Sequence, residues 1–216
     1  MGPKKSGGKP NPERTVRSKR PLILDTAFKL FVAHGFSQTT MADIALEASI
    51  STATLYKHFR SKENLFAAVT DAALNKFKDE FSAVDVSQPI ITVLTTFAHI
   101  YIRRQYGDGI NALMRTIIAE ATANPAMGKR FYRALRERQG YVVAYLDLLI
   151  SQNKLDIDDA PTAALVLISS VKEFLIWPAL FDPAHTPPDN ADEYIQQVME
   201  TFISCWTPKQ ETPPTA

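Results

Sequence analysis

The stretch TTMADIALEASISTATLYKHFRSKENLF, Thr39 to Phe66, decides how this chain is to be read. It holds two short helical segments separated by a few residues. Thr40, with Asp43 three residues on, has the form of a capping-box start, and Ile44, Ala45 and Ala48 give the segment one apolar face. "SIS" interrupts the pattern, and a second segment opens at Ser51 or Thr52. Its Leu55 and Phe59, four apart, share a face. Phe59 and Arg60 close it. Ser61 then caps a longer helix, with Glu63 in the positive first turn.

A packing helix precedes this pair. It runs from about Pro21, a residue suited to a first turn, to His34, with Gly35 as its C-terminal cap. Ile23, Ala27, Leu30 and Phe31 form its inner face. A packing helix followed by two short helices across a tight turn is a helix-turn-helix unit, whose second helix enters a major groove. Thr52, Ala53 and Thr54 stand where base edges would be approached, and Tyr56, Lys57 and His58 stand at the rim, where phosphates lie. Hydroxyls, a phenol and positive charge are donors suited to an anionic surface.

The charge distribution agrees. The chain has 216 residues and a net charge of +1, but residues 1–70 carry 11 Lys/Arg against 5 Asp/Glu while the remainder carries 13 against 18. That split points to a polyanion-binding N-terminal part. The single cysteine, Cys205, excludes an intramolecular disulfide. No apolar run reaches the roughly 18 residues that span a bilayer, and no apolar signal core follows the basic N-terminus. A cytoplasmic protein without membrane contact is expected.

Outward from the motif, the periodicity is helical throughout and no strand pattern is found. The fourth helix continues to about Phe81 through Leu65, Phe66, Val69, Ala73 and Phe77. Further helices are expected from Ser87/Pro89 to about Tyr106, Ile110 to Ala123, Pro125 to about Gln152 with Asn124 as cap, Pro161 to about Leu180, and Asp189 to Trp206. The fold class is therefore all-α, with about nine helices: an N-terminal three-helix helix-turn-helix domain and a C-terminal helical domain. The expected boundaries are a disordered basic arm at 1–16, a DNA-binding domain at 17–66, a ligand-binding and dimerisation domain at 67–207, and a disordered tail at 208–216.

The segments ILDTAFKLFVAHGFSQTTMADIA and TLYKHFRSKENL resemble the tetracycline-repressor (TetR-type) family of bacterial transcriptional regulators, over Leu22 to about Val69. The resemblance implies a homodimer on a palindromic double-stranded operator and a C-terminal domain that binds a small molecule and releases DNA. It assigns DNA contacts to Thr40, Thr52, Thr54, Tyr56, His58 and Lys62. Two departures stand out. Ser49 occupies a turn position where the family often has Gly, so a left-handed residue there is strained. Thr52 and Ala53 stand where a basic residue and Gly are frequent, and Arg14, Arg17, Lys19 and Arg20 of the arm are candidates to compensate.

Phe97, Tyr101, Met114, Ile118, Phe174 and Trp177 are the candidate lining of a cavity for a small hydrophobic or amphipathic effector. Arg103, Arg104, Arg115, Glu120 and Glu173 are its candidate polar partners. The nearly all-apolar run PTAALVLISSVKEFLIWPAL, with Tyr194, Ile195, Val198, Phe202 and Ile203, is the expected dimer face. Cys205 beside Trp206 reads as a packing residue. His34, His99 and His185 are scattered singly, so no metal or other cofactor is implied. Two alternatives remain at this stage: an enzyme using the C-terminal cavity, although no nucleophile–base or paired-carboxylate spacing is found, and a protein-binding adaptor.

Overall fold

The computed structural model describes residues 12–107 and 109–208. The outer parts of the expected arm and tail, residues 1–11 and 209–216, lie outside them, as do the side chains of Arg14 and Arg17. Among the described residues there are ten helices and no strand: α1 (Pro12–Gln38), α2 (Met41–Glu47), α3 (Thr52–His58), α4 (Lys62–Ser82), α5 (Ile90–Gly107), α6 (Ile110–Glu120), α7 (Pro125–Ser151), α8 (Ala160–Leu175), α9 (Trp177–Phe181) and α10 (Ala191–Trp206). None of them is long and apolar enough to cross a membrane. The chain forms two compact units, 1–72 and 73–216, and passes from one to the other within α4.

In the first unit the expected faces pack. Ile23, Ala27, Phe31, Ile44, Ala45, Leu55, Leu65 and Phe66 are buried, while Leu30 is only half-buried. Phe66 stands edge-on to Phe31 and Phe36, at centroid distances of 4.9 and 5.1 Å, a favoured aromatic geometry. α1 departs from expectation at its start: the helix begins at Pro12 and carries Pro21 inside it. Proline has no amide hydrogen, so the helix forfeits one backbone bond there without ending. Gly35, at φ 80°, breaks the helical backbone near the other end. The adjoining Thr39 hydroxyl donates to the Gly35 carbonyl at 2.8 Å.

In the second unit α10 packs on α5 and α8, α7 on α6 and α8, and α6 on α5 and α9. Leu94, Leu146, Leu149, Ala164, Leu167, Leu175, Ile195 and Met199 form its buried centre. The caps follow the sequence: Asn124 accepts from the Met127 amide, and Asp159 from the Thr162 amide at 3.0 Å. One expected helix is two. The stretch Pro161–Leu180 divides at Ile176, because Pro178 cannot donate to the carbonyl of Phe174 and sits instead in the first turn of α9, where no such bond is needed. α6 likewise stops at Glu120, short of Ala123, as the chain turns ahead of Asn124–Pro125. Within the expected dimer face, Ile195 and Phe202 are buried in the chain's own core, whereas Leu165 and Val166 of α8 are exposed.

Candidate nucleic-acid interface and effector cavity

The turn between α2 and α3 shows how the motif is built. Ala48 caps α2 and Ser49 takes the left-handed conformation, φ 52°. The Ile50 amide donates to the Ala45 carbonyl at 2.9 Å and the Ser49 amide to the Leu46 carbonyl at 3.0 Å. This pair of bonds is a Schellman ending. It reverses the chain in three residues and delivers Ser51 as the cap of α3, whose Oγ accepts from the Thr54 amide at 3.1 Å. Buried Leu55 and Phe59 then fix the rotation of α3 about its axis.

That rotation leaves Thr52, Ala53, Tyr56 and Lys57 exposed on one face. Tyr56 is 51% exposed, so its ring is not tucked into the core. Three of the other four candidates, Thr54, Thr40 and Lys62, already have internal partners. Thr54 is half-buried, and its hydroxyl shares a 2.8 Å bond with Ser51 Oγ. Thr40 completes the capping box: its amide and hydroxyl both donate to Asp43 Oδ2, at 3.0 and 2.7 Å, and its Oγ1 accepts from the Asp43 amide at 3.2 Å. The Thr40 hydroxyl, then its amide, hold the Asp43 carboxyl below its usual range. Lys62 extends its ammonium over the Phe36 ring and donates to the carbonyls of Phe36 at 2.8 Å and Ser37 at 3.4 Å. It therefore ties α4 to the end of α1. His58 is half-buried, and its Nε2 is enclosed without a hydrogen-bond partner among the described residues. Burial first, then the charges of Arg20 and Lys19, hold its pKa below the usual histidine value. The imidazole is thus a neutral rim residue. Sequence reasoning passed over Arg60, which is exposed just beyond α3, and the Arg20 stack on Phe59 at 4.6 Å.

The second unit holds an apolar cavity of about 70 Å³ between α4, α5, α7, α8 and α10. Of the six expected lining residues, Phe97 and Tyr101 face it. Met114, Ile118, Phe174 and Trp177 do not: Ile118 and Trp177 are 57% and 48% exposed, and Phe174 stacks on Tyr194 at 4.2 Å. The five proposed polar partners are also elsewhere. Arg103 and Arg104 both bind Glu80, and Arg115 donates to the Ala179 carbonyl at 2.6 Å. The polar groups that line the cavity are Tyr101, Arg138, Gln139 and Lys172. Lys172 had a signal in the sequence, since it and Glu173 are the only charges in PTAALVLISSVKEFLIWPAL. Burial pushes the Tyr101 phenol far above its usual value and the Lys172 ammonium below its own. Among the described residues no three His, Cys, Asp or Glu side chains converge as a metal site. Cys205 is exposed, not packed.

Comparison with known proteins accounts for both units. The family described as bacterial regulatory proteins, tetR family, matches residues 23–69. The family described as AefR-like transcriptional repressor, C-terminal domain, matches residues 92–208, more than half of the chain. The transcriptional repressor ComR of Escherichia coli K12 is 38% identical over 80 residues, which cover 37% of this chain and 36% of ComR. The regulator UidR of the same organism is 29% identical over 119 residues, covering 53% of this chain and 58% of UidR. The chain thus spans less than two thirds of either relative. The regulator AcrR of Shigella flexneri is 22% identical over 202 residues, 90% of this chain and 94% of AcrR. Among solved structures, the flavonoid-responsive regulator FrrA superposes with a TM-score of 0.75 at 25% identity, covering 89% of this chain and 99% of FrrA. A regulator of Mesorhizobium loti matches at the same TM-score with 22% identity, over 89% of this chain and 98% of its own. With its helix-turn-helix half and its C-terminal half each matched in turn, the chain belongs to the tetR family of bacterial regulatory proteins.

Proposed function

We propose that the protein is a transcriptional repressor that binds a two-fold operator as a homodimer and leaves it when a small amphipathic molecule enters the second unit. One observation carries the DNA-binding part. The buried pair Leu55 and Phe59 turns Thr52, Ala53, Tyr56 and Lys57 outward together on a short helix held by a Schellman turn. In this reading Thr52 and Ala53 meet base edges, and Thr54 joins them with the hydroxyl capacity left after its bond to Ser51. Tyr56, Lys57 and Arg60 meet phosphates, which set register and supply the salt-dependent part of affinity. Thr40, His58 and Lys62 act mainly by holding the motif in shape, and a phosphate reaches Lys62 only through the one ammonium hydrogen its two carbonyls leave.

The apolar cavity supports the effector part, as does the likeness to FrrA, whose name describes a response to flavonoids. Exposed Val166 and Leu165 on α8, beside Tyr194 and Val198 on α10, support a dimer through these two helices. A ligand preferring the arrangement with wrongly spaced recognition helices draws the population off DNA. The experiment is selection of bound sequences from a random DNA pool at physiological salt. A recovered palindrome with half-sites about one helical turn apart is the expected result. Recovery of no motif, with binding equal on all sequences, would overturn the repressor reading.

A further inference from the structure

The cavity of the second unit carries charge of one sign. Arg138 and Lys172 line it, and no Asp or Glu does. The Arg138 guanidinium is held in place by the carbonyls of Leu74, at 3.0 Å, and Ala134. Lys172 differs. Among the described residues its ammonium has no carboxylate partner, and it stands over the face of Tyr101, 5.9 Å from the ring centroid. Glu173, the next residue, is exposed, and its charge acts on Tyr194 instead. Arg136 adds a further positive charge to the field at Lys172. The Arg136 guanidinium also donates to Gln139 Oε1 at 2.8 Å, which leaves the amide nitrogen of Gln139, a residue of the cavity lining, free to donate to a ligand.

A cation partly withdrawn from water and facing other cations is poorly compensated, and an anion is what restores it. The remaining wall is aromatic and aliphatic, from Phe77, Phe81, Leu94, Phe97 and Val171. We propose that the cavity takes a small amphipathic monoanion, an aryl or alkyl carboxylate, with its charged end on Lys172 and Gln139 and its apolar body among the phenylalanines. This rests on the reading of the cavity as the effector site and narrows it to one charge class. The volume, about 70 Å³, is several times the roughly 10–15 Å³ that one water needs. An apolar cavity that holds benzene measures about 150 Å³, so side chains of the wall give way as a single-ring body enters.

Three probes with the same body separate charge from shape: 4-phenylbutyrate, 4-phenylbutanol and 4-phenylbutylamine, titrated calorimetrically into the full chain at neutral pH. The acid is expected to bind at least about tenfold more tightly than the alcohol, as one charge-assisted contact allows, and the amine more weakly than either. Lys172→Met, which keeps the bulk of the side chain, removes the acid's advantage and leaves alcohol binding nearly unchanged. Equal binding of acid and alcohol, an advantage that survives Lys172→Met, or no binding of the acid at millimolar concentration overturns the proposal. Competition between acid and alcohol, together with loss of both in Ala98→Phe, which fills the cavity, locates them there. If the two compete in the cavity without preference for the acid, the effector-site reading stands and the charge assignment falls. Acid binding that persists unchanged through Ala98→Phe removes both.

Discussion

At the scale of single residues, the most informative position is Ser49, held at φ 52° between α2 and α3. A side chain in this region costs about 1–2 kcal/mol, whereas glycine gives back roughly 0.5–1 kcal/mol through the freedom of its unfolded chain. Ser49→Gly should therefore stabilise the motif by about 0.5–1 kcal/mol. Amide exchange in α2 and α3 should slow accordingly, and unchanged or faster exchange would contradict the strain assigned to Ser49. His58 gives a second expectation. Its folded pKa lies below the unfolded 6.5, so the folded state takes up a proton less readily than the unfolded chain. The associated stability is complete above pH 6.5 and is lost as pH falls through the lowered folded value. The lowered pKa values of Asp43 and Asp159 act below 3.8, well clear of that window. Thermal melts between pH 7.5 and 5.5 should show a decline that His58→Gln reduces; equal declines would rule out the buried imidazole as its source. These residues also show what a sequence can reveal. The Thr40–Asp43 box was legible because its geometry is set by residues three positions apart, whereas the strained turn at Ser49 was legible only through the family resemblance. Lys62 was not, since the carbonyls it binds are 25 and 26 residues distant.

At the scale of elements, α8 combines two demands on one helix. Ala163, Ala164, Leu167, Val171 and Leu175 are buried, yet Lys172 sits beside the cavity without a carboxylate partner among the described residues. If that lysine is kept for binding, it weakens the unliganded fold. Lys172→Met should raise the melting temperature, by an amount on the order of 1 kcal/mol of stability at neutral pH. The gain should shrink as pH rises toward 10.5, because folded Lys172 loses its proton at a lower pH than the unfolded chain does. Differential scanning calorimetry at pH 7 and pH 10 tests both points, and a destabilised variant would show that the ammonium has a partner that holds the fold together. The cavity was only partly legible for a related reason. Periodicity identifies the apolar side of each helix but not which helices meet. Phe97 and Tyr101, both on α5, do line the cavity. Met114 and Ile118 lie on α6, which packs on α5, α7 and α9, and neither reaches the cavity. Pro178 announces the break before α9, but an apolar run on both sides concealed it.

At the scale of the whole molecule, the proposed function depends on whether two copies associate. Leu165 and Val166 are 41% and 55% exposed in a helix that is otherwise a core element. Val166 also borders an open groove between α8 and α10, with Ser170, Tyr194, Val198, Thr201 and Cys205. The amphipathic pattern put α8 and α10 forward as a dimer face but included Ile195 and Phe202, which the chain buries against itself. A pattern of apolar residues does not distinguish burial within a chain from burial between chains. Exposure marks what the single chain leaves uncovered, and in the proposed interface that is Val166. An aspartate there sets two carboxylates against an apolar interface, or against each other across a two-fold axis, and both are unfavourable. Val166→Asp should keep its helical circular dichroism, since the site is solvent-facing in the single chain. Light scattering should give the mass of one chain where the parent gives two. Operator affinity should then fall by about 100-fold or more, because a monomer loses the effective concentration that links two half-sites. A variant that remains dimeric and binds the operator as the parent does would move the interface away from α8 and α10. A monomeric parent that still reads a palindrome would mean that the DNA, not the protein, brings the two copies together.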